Sequence, residues 1–140
     1  MVKKTIKVER ICQSNFKSFG RIIDYPKRGA RKTKNLFRII IRQSRSGWRI
    51  AYLVVRDKRI SRLEQHPDTF ESFELVCGRS LLYVTKKKDV GSISCFLLDK
   101  PIILKKGIWH GVVTLSKEAD IKIVENATVK CIYWPLGFEL

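Results

Sequence analysis

The chain has 140 residues, 44% of them hydrophobic, and a formal net charge of +16. This length suffices for one domain with a sizeable core, and no apolar run approaches the roughly 18 residues that a membrane span needs. We therefore expect a single domain over residues 1–140 of a soluble, cytoplasmic protein without a secretory signal. The four cysteines show no Cys-x-x-Cys spacing, so we expect reduced thiols rather than a disulfide or zinc framework.

The positive charge is concentrated in residues 27–62, which hold thirteen Lys and Arg and a single acidic residue, Asp57. Within this stretch, residues 27–35 are basic, contain a glycine and lack periodicity, which predicts an exposed loop. Basic runs are most often solvated surface. The same stretch would also suit the phosphates of a nucleic acid or a small anionic substrate such as a carboxylate, and composition leaves these alternatives open.

The N-terminal part of the chain predicts little regular structure. Residues 3–8 alternate weakly and suit an edge strand, and residues 21–25 suit a short strand. Between them, Ser14 or Asn15 is expected to cap a short helical turn whose apolar side includes Phe16.

From residue 36 onward the chain predicts a succession of short strands. Residues 48–56 show the clearest alternation of apolar and other residues. The remaining predicted strands, each bounded by turn residues, cover residues 36–42, 60–66, 70–76, 81–85, 93–98, 102–104, 112–115, 121–124 and 129–134. Many short strands at this spacing favour an all-β sandwich or barrel.

Two stretches gather residues that suit one chemical site. Glu64 and His66 are two positions apart, so in a strand they project from one face, and a returning strand could bring Glu71 back to that face. His110, the only other histidine, must come from a separate strand, which we expect across the barrel. An imidazole pair with carboxylates suits a borderline divalent metal, or acid–base chemistry near neutral pH.

Each of these residues also has a purely structural interpretation. His66 could be a hydrogen-bonded surface histidine, and His110 could pack beside Trp109, which we expect in the core. Glu64 and Glu71 could form surface ion pairs that contribute little to stability.

The spacing around the first histidine resembles the first motif of the cupin superfamily. Glu64-x-His66, four residues, Glu71, six residues and Gly78 follow that motif, with Glu64 in place of its first histidine. We expect Gly78, and likewise Gly107 further along the chain, to occupy turns with a positive φ.

A second stretch is similar to the other cupin motif. Gly107, two residues and His110 keep its spacing, and Thr114 stands where cupins carry asparagine. The Glu-x-His-Pro sequence that ends at Pro67, together with the pair Trp109–His110, looks more specifically like the ureidoglycolate lyase family of allantoin breakdown.

The resemblance implies a cupin-like double-stranded β-helix, that is, a jelly-roll barrel, and a homodimer. It implies cleavage of ureidoglycolate to glyoxylate and urea, or a reaction of a related small carboxylate. His66, Glu64 and His110 would then be the catalytic residues. Lys105 and Lys106, which precede the second motif, would hold the carboxylate of the substrate.

Two mechanisms remain open for such a site. In one, a divalent metal is bound by Glu64, His66, Glu71 and His110 and polarises a substrate oxygen. In the other, histidine and glutamate transfer protons without a metal. Two further alternatives are a non-catalytic cupin that binds a small anion or sugar, and a nucleic-acid-binding β-barrel that uses the basic stretch and Trp48.

Overall fold

Two β-sheets form the body of the molecule in a computed structural model that describes residues 4–24 and 37–140. The six-stranded sheet has the order β1 (Val8–Arg10), β7 (Ser94–Leu97), β6 (Ser80–Thr85), β9 (Trp109–Thr114), β4 (Arg62–Gln65) and β11 (Ile132–Pro135). The five-stranded sheet has the order β2 (Gly20–Ile22), β8 (Ile102–Leu104), β5 (Glu71–Cys77), β10 (Ala119–Asn126) and β3 (Trp48–Val55). β1 pairs with β7 in parallel, and the other described pairs are antiparallel.

The helical content is small. A four-residue helix, α1 (Gln13–Phe16), precedes β2, and a 3-10 helix (Val90–Ser92) precedes β7. The predicted all-β class is therefore confirmed, and its form is a two-sheet sandwich of the jelly-roll type. The basic loop predicted at residues 27–35 lies outside the described residues.

The main core lies between the two sheets. Inward-facing residues of β6 and β7, such as Leu82, Val84 and Phe96, meet Phe73 and Ile121 from the facing sheet. Since these apolar side chains are almost fully removed from water, each stabilises the fold by about 1.5–3 kcal/mol.

A second core covers the outer face of the six-stranded sheet. Leu81 and Tyr83 point away from the main core and pack with Trp109, while Trp134 and Leu140 from the end of the described chain cover them. Trp109 and Trp134 meet edge to face with ring centroids 5.9 Å apart. The central strands of this sheet are thus buried on both faces, and the expectation that Trp109 belongs to the core is confirmed.

Two predictions in the N-terminal part were wrong. A strand was predicted at residues 3–8, but within the described residues from position 4 it begins only at Val8 and runs to Arg10, where β7 pairs with it. The N-cap of α1 is Cys12 rather than Ser14 or Asn15. Asn15 instead accepts a hydrogen bond of 2.9 Å from the Cys12 backbone N–H, so its side chain closes the turn from within.

The strand predicted at residues 36–42 was also wrong for the part that the structure describes, residues 37–42. The apolar run there is held by side chains instead of a ladder. The Arg21 guanidinium donates to the Ile40 carbonyl at 2.7 Å, and Gln43 donates to the Asn126 side chain. Of these two contacts, the one from Arg21 satisfies a backbone group, the Ile40 carbonyl, without a neighbouring strand.

Candidate metal centre

Strand alternation in the six-stranded sheet directs three of the predicted site residues inward. Leu63 on β4 packs in the outer core, so its neighbour Glu64 and, just past the strand, His66 face the space between the sheets. On β9, Trp109 faces the outer core and His110 faces inward. Glu64 and His110 are direct partners in the register of β4 and β9.

Glu71 reaches the same place from the facing sheet. It begins β5 on the inward-facing side, two residues before the core residue Phe73. The site is therefore shared between the two sheets. His110 was expected across the barrel from Glu64 and His66, but it lies on the neighbouring strand, and Glu71 is the residue that faces them. Spacing along the chain defines which side chains share a strand face and does not define which sheet each strand joins.

Both histidines approach the same oxygen of Glu71, and Glu64 lies beside the two imidazoles. Glu71 Oε2 lies 3.1 Å from His66 Nε2 and 3.0 Å from His110 Nε2. Glu64 Oε1 lies 3.5 Å from His110 Nε2 and 4.0 Å from His66 Nε2. Metal–ligand bonds of about 2.0–2.2 Å place neighbouring donor atoms of one ion roughly 3 Å apart, so these separations suit a shared cation.

The other nitrogen of each imidazole determines which atom faces the carboxylates. His66 Nδ1 lies 3.2 Å from the Lys130 carbonyl, and His110 Nδ1 lies 3.0 Å from the Ile108 carbonyl. A carbonyl only accepts, so each Nδ1 carries a proton and donates. In a neutral imidazole the lone pair of Nε2 then faces Glu71, a repulsive arrangement that a cation between the groups relieves.

Two buried atoms at the centre of the cluster support this interpretation. Among the described residues, Glu71 Oε2 and His110 Nε2 have no hydrogen bond of normal geometry, although they are 3.0 Å apart. Buried polar atoms are nearly always satisfied by hydrogen bonds or metals. Two nitrogen and two oxygen donors match the preferences of a borderline divalent ion such as zinc, and carboxylates with imidazole also suit manganese. The residues therefore fit a divalent metal.

The electrostatics of the cluster hold the ligand side chains in ionised forms. Burial on its own would raise the pKa of Glu71, but close contact with His110 and His66 outweighs burial and lowers that pKa to about 2. Burial on its own would lower the pKa of His110, but Glu64 and Glu71 raise it to about 10. In the metal-free protein the His110 imidazole therefore carries a second proton, which a metal would displace.

Glu125 also belongs to this site, although it follows the predicted strand 121–124 at a position expected to be a turn. It lies in β10, is buried, and pairs in register with Glu71. Ligand atoms of His66, Glu71 and Glu125 lie within 4.8 Å of one another, as do those of Glu64, His66 and His110. The signal for it was present, since the inward alternation of the strand continues to position 125 and places a carboxylate there.

Two further contacts adjoin the cluster. Arg49 on β3 donates from Nε and Nη2 to Glu125 Oε2, at 3.0 and 2.8 Å. Cys131 Sγ lies 3.5 Å from His66 Nδ1. All four cysteines of the chain are free thiols in this structure.

The two lysines predicted to hold a substrate carboxylate point to different surroundings. Lys105 lines a cavity of about 230 Å³ beside α1 and β2. Lys106 Nζ lies 5.1 Å from the centroid of the Phe70 ring. Their substrate-binding role stays a prediction.

The motif glycines form the turns that deliver the site residues. Gly78 and Gly107 have φ values of +83° and +77°, which confirms the predicted turn conformations. The Gly107 N–H donates to the His66 carbonyl at 2.9 Å, and Gln65 Nε2 donates to the Gly107 carbonyl at 2.8 Å. The turn before β9 is thereby tied to the end of β4, next to both histidines.

Comparisons with known proteins add little beyond this geometry. No protein-family model matches the chain, and no curated protein matches it. Two solved structures of Bacillus subtilis oxalate decarboxylase are similar, one a single-substitution mutant and the other studied for its Mn(II) centres. In both cases identity is 16%, the TM-score is 0.47, and the match covers 64% of this chain and 24% of the other. The matched part of this chain thus spans about a quarter of the length of those proteins.

Within residues 4–24 and 37–140, we find no helix with the length and apolar character needed to span a bilayer.

Proposed function

We propose that this protein is a cupin-like metalloprotein that binds one divalent metal between its two sheets and acts on a small carboxylate, with ureidoglycolate as the first substrate to test. The observation that carries the proposal is the convergence of His66 Nε2 and His110 Nε2 on one buried oxygen of Glu71, at 3.1 and 3.0 Å. Such a cluster is costly for a fold that gains nothing from it.

His66, His110 and Glu71 would hold the metal, with Glu64 at the more open side. The side chain of Glu64 is about a third exposed, whereas those of the other three are nearly fully buried. When bound, the metal would supply a Lewis acid that polarises a substrate oxygen. Glu64 is then either a fourth ligand or the group that a substrate reaches first.

For ureidoglycolate the chemistry needs one base and one acid. A base takes the proton of the carbinol hydroxyl, the carbon–nitrogen bond breaks as the carbonyl of glyoxylate forms, and an acid protonates the departing urea nitrogen. Glu64, the more exposed of the four side chains, can accept the first proton and then donate it to the departing nitrogen, because the Nε2 atoms of His66 and His110 would be held by the metal. Proton transfer through Glu64 balances the reaction without an outside reagent.

A non-catalytic protein that binds a small anion at the same centre is the second candidate. Three of the four proposed ligands, His66, Glu71 and His110, are buried. Glu64 is therefore the one accessible acid–base group of the four, which favours binding over catalysis. This candidate keeps the metal and lacks turnover.

The test is metal analysis of protein purified without chelators, for the wild type and for His66→Ala and His110→Ala, followed by assays for urea and glyoxylate. We expect about one metal per chain in the wild type and a loss of metal in both variants. Turnover with Glu64→Gln, which keeps the shape of the side chain, should fall at least about 100-fold. Metal binding without turnover would support the binding protein, and absence of metal in wild-type protein reconstituted with manganese or zinc would overturn the proposal.

A further inference from the structure

The cavity of about 230 Å³ beside the edge strand β2 is separate from the metal centre, and we call it the β2 cavity. Phe16 and Ile22, which also pack in the main core, supply its apolar lining. In the ladder, Leu104 of β8 lies between Gly20, which lines the cavity, and Glu71 of the metal centre. Since neighbouring strands are about 4.8 Å apart, Gly20 is roughly 10 Å from Glu71. None of the described lining residues is a candidate metal ligand.

Positive charge is concentrated around this cavity. Lys and Arg make up 29 of the 140 residues of the chain, about a fifth, but they are four of the nine described lining residues. A single described lining residue, Asp24, is acidic. The basic residues come from four different parts of the fold, namely Lys17 at the end of α1, Arg21 on β2, Arg38 in the segment 37–42 and Lys105 after β8. The tertiary structure thus gathers charges that repel one another, which favours an anion in the cavity.

Contacts with backbone carbonyls hold the two arginines in place. Arg21 donates from Nη1 to the Ile40 carbonyl at 2.7 Å, and Arg38 donates from Nη1 to the Asp24 carbonyl at 3.3 Å. Arg38 Nη1 also lies 3.6 Å from Asp24 Oδ1, and the Arg38 side chain is only 26% exposed. Neither contact uses Nε or Nη2, so each guanidinium keeps that edge of N–H donors for a ligand. Side chains that are already positioned lose less freedom when a ligand binds.

We propose that the β2 cavity binds the phosphate group of a small molecule. A phosphate monoester carries nearly two negative charges at neutral pH and has three acceptor oxygens on one atom, so it can meet donors from several walls at once. Guanidinium edges match phosphate oxygens in pairs, and the two lysines add positive charge. The volume is below the roughly 300–1,000 Å³ of pockets for drug-sized ligands. It therefore suits inorganic phosphate, or a small phosphorylated molecule whose carbon part contacts Phe16 and Ile22. Phosphate would bind here whether or not the metal centre is occupied.

A carboxylate is the other anion that arginine recognises. A monocarboxylate has one charge and two oxygens in one plane, whereas the described lining has four cations and one acid. A dicarboxylate such as malonate is therefore the most informative competitor. It matches the charge of a phosphate monoester without placing three oxygens on one atom.

The experiment is calorimetric titration of the full chain with inorganic phosphate and with glycerol 3-phosphate. The protein is treated with a chelator and dialysed, so that no metal competes for the anion, and about 150 mM NaCl limits the screening length to roughly 8 Å. We expect saturable binding of one ligand per chain with a dissociation constant below about 1 mM. Tighter binding of glycerol 3-phosphate would identify a phosphorylated small molecule as the ligand. Equal or tighter binding of inorganic phosphate would identify the free ion.

Three substitutions in the cavity should change this dissociation constant in opposite directions. Arg38→Gln and Lys105→Gln should each raise it at least about tenfold, because each removes a charge-assisted hydrogen bond to phosphate. Asp24→Asn should lower it about threefold, because it removes a negative charge from the cavity wall. A misfolded variant would not bind more tightly, so the effect of Asp24→Asn is independent of any loss of structure.

Arg56→Gln and Glu118→Gln are the matched controls. These two residues form an ion pair at 3.0 Å next to β3, at the opposite edge of the same sheet. Their substitutions change the net charge by the same amounts and should leave the dissociation constant within about twofold of the wild type. An effect of Arg56→Gln as large as that of Arg38→Gln would overturn the proposal, because the net charge of +16 would then explain the attraction. Binding of malonate as tight as that of glycerol 3-phosphate, or no binding of either phosphate up to about 5 mM, would also overturn it.

Discussion

Glu64 on β4 lies directly opposite His110 on β9 in the antiparallel register, and Glu64 Oε1 is 3.5 Å from His110 Nε2. The two residues are 46 positions apart in the chain. The pairing of β4 with β9 brings them together. This pair joins the two sequence stretches that carry the site residues. The pair also positions the accessible carboxylate next to the fully buried imidazole.

The metal affinity of the centre depends on the charge of Glu71. Glu71→Gln keeps the volume of the side chain and removes the negative charge, so we expect the affinity for manganese or zinc to fall about 100-fold or more. Calorimetric titration of chelator-treated protein measures the change.

Glu74→Gln is the matched control for this substitution. Glu74 lies on the same strand, but it is exposed and pairs with Lys122, so its loss should leave the affinity within about twofold of the wild type. Equal affinities in the two variants would exclude Glu71 as a ligand.

The pH dependence of stability in metal-free protein follows from two opposite pKa shifts. The pKa of Glu71 is lowered to about 2 from 4.5, so its contribution is complete above pH 4.5 and is lost as the pH falls toward 2. The pKa of His110 is raised to about 10 from 6.5, so its contribution is complete below pH 6.5 and is lost as the pH rises toward 10. Thermal melting with a chelator should therefore show greatest stability between pH 4.5 and 6.5.

Added metal should change the alkaline side of this curve. A metal binds the unprotonated imidazoles, so its stabilising effect increases as the pH rises above 6.5. We expect the melting temperature with manganese or zinc to exceed that with chelator by an amount that grows from pH 6 to pH 8. A difference that is constant over this range would place the metal on groups other than the two histidines.

Two glycines with similar backbone angles should tolerate alanine very differently. Gly78 and Gly137 have φ values of +83° and +79°, so alanine at either position costs about 1–2 kcal/mol of conformational strain. A Cβ at Gly78 would lie 2.5 Å from the Glu118 carbonyl oxygen, whereas a Cβ at Gly137 would meet no atom within 4 Å. Denaturant unfolding should therefore show a loss of at least about 3 kcal/mol for Gly78→Ala and about 1–2 kcal/mol for Gly137→Ala. Equal losses would show that the turn at Gly78 moves to make room.

The ion pair between Arg49 and Glu125 should contribute more than a surface pair. Glu125 is buried, and Arg49→Leu would leave its carboxylate without its main partner. We expect the free energy of unfolding to fall by about 1–2 kcal/mol. The loss is not larger because the Arg49 side chain is itself half exposed. The additional substitution Glu125→Gln should restore most of this loss. Chemical denaturation of the single and double variants measures both effects.

Arg56→Leu is the control for this pair. Arg56 pairs with Glu118 at 3.0 Å, and both side chains are largely exposed, so we expect a loss below about 0.5 kcal/mol. A loss as large as that of Arg49→Leu would mean that burial of the carboxylate does not decide the contribution.

Several features of this protein follow from the sequence alone because they depend on local geometry. The alternation at residues 48–56 predicts a strand, and β3 covers Trp48–Val55, since a period of two needs no information from elsewhere in the chain. Gly78 and Gly107 adopt the predicted positive φ because few other residues accept it. The spacing of Glu64 and His66 places both side chains on one face for the same reason.

The tertiary structure alone decided how the strands are arranged. Sequence spacing does not show that β9 lies beside β4, or that Glu71 approaches from the facing sheet, because hydrogen-bond partners of a strand are chosen by the packing of the whole sheet. The apolar residues 37–42 likewise form no strand, and the Arg21 side chain takes the Ile40 carbonyl there. Glu125 joins the site only because β10 continues beside β5, which places a carboxylate in the space between the two sheets.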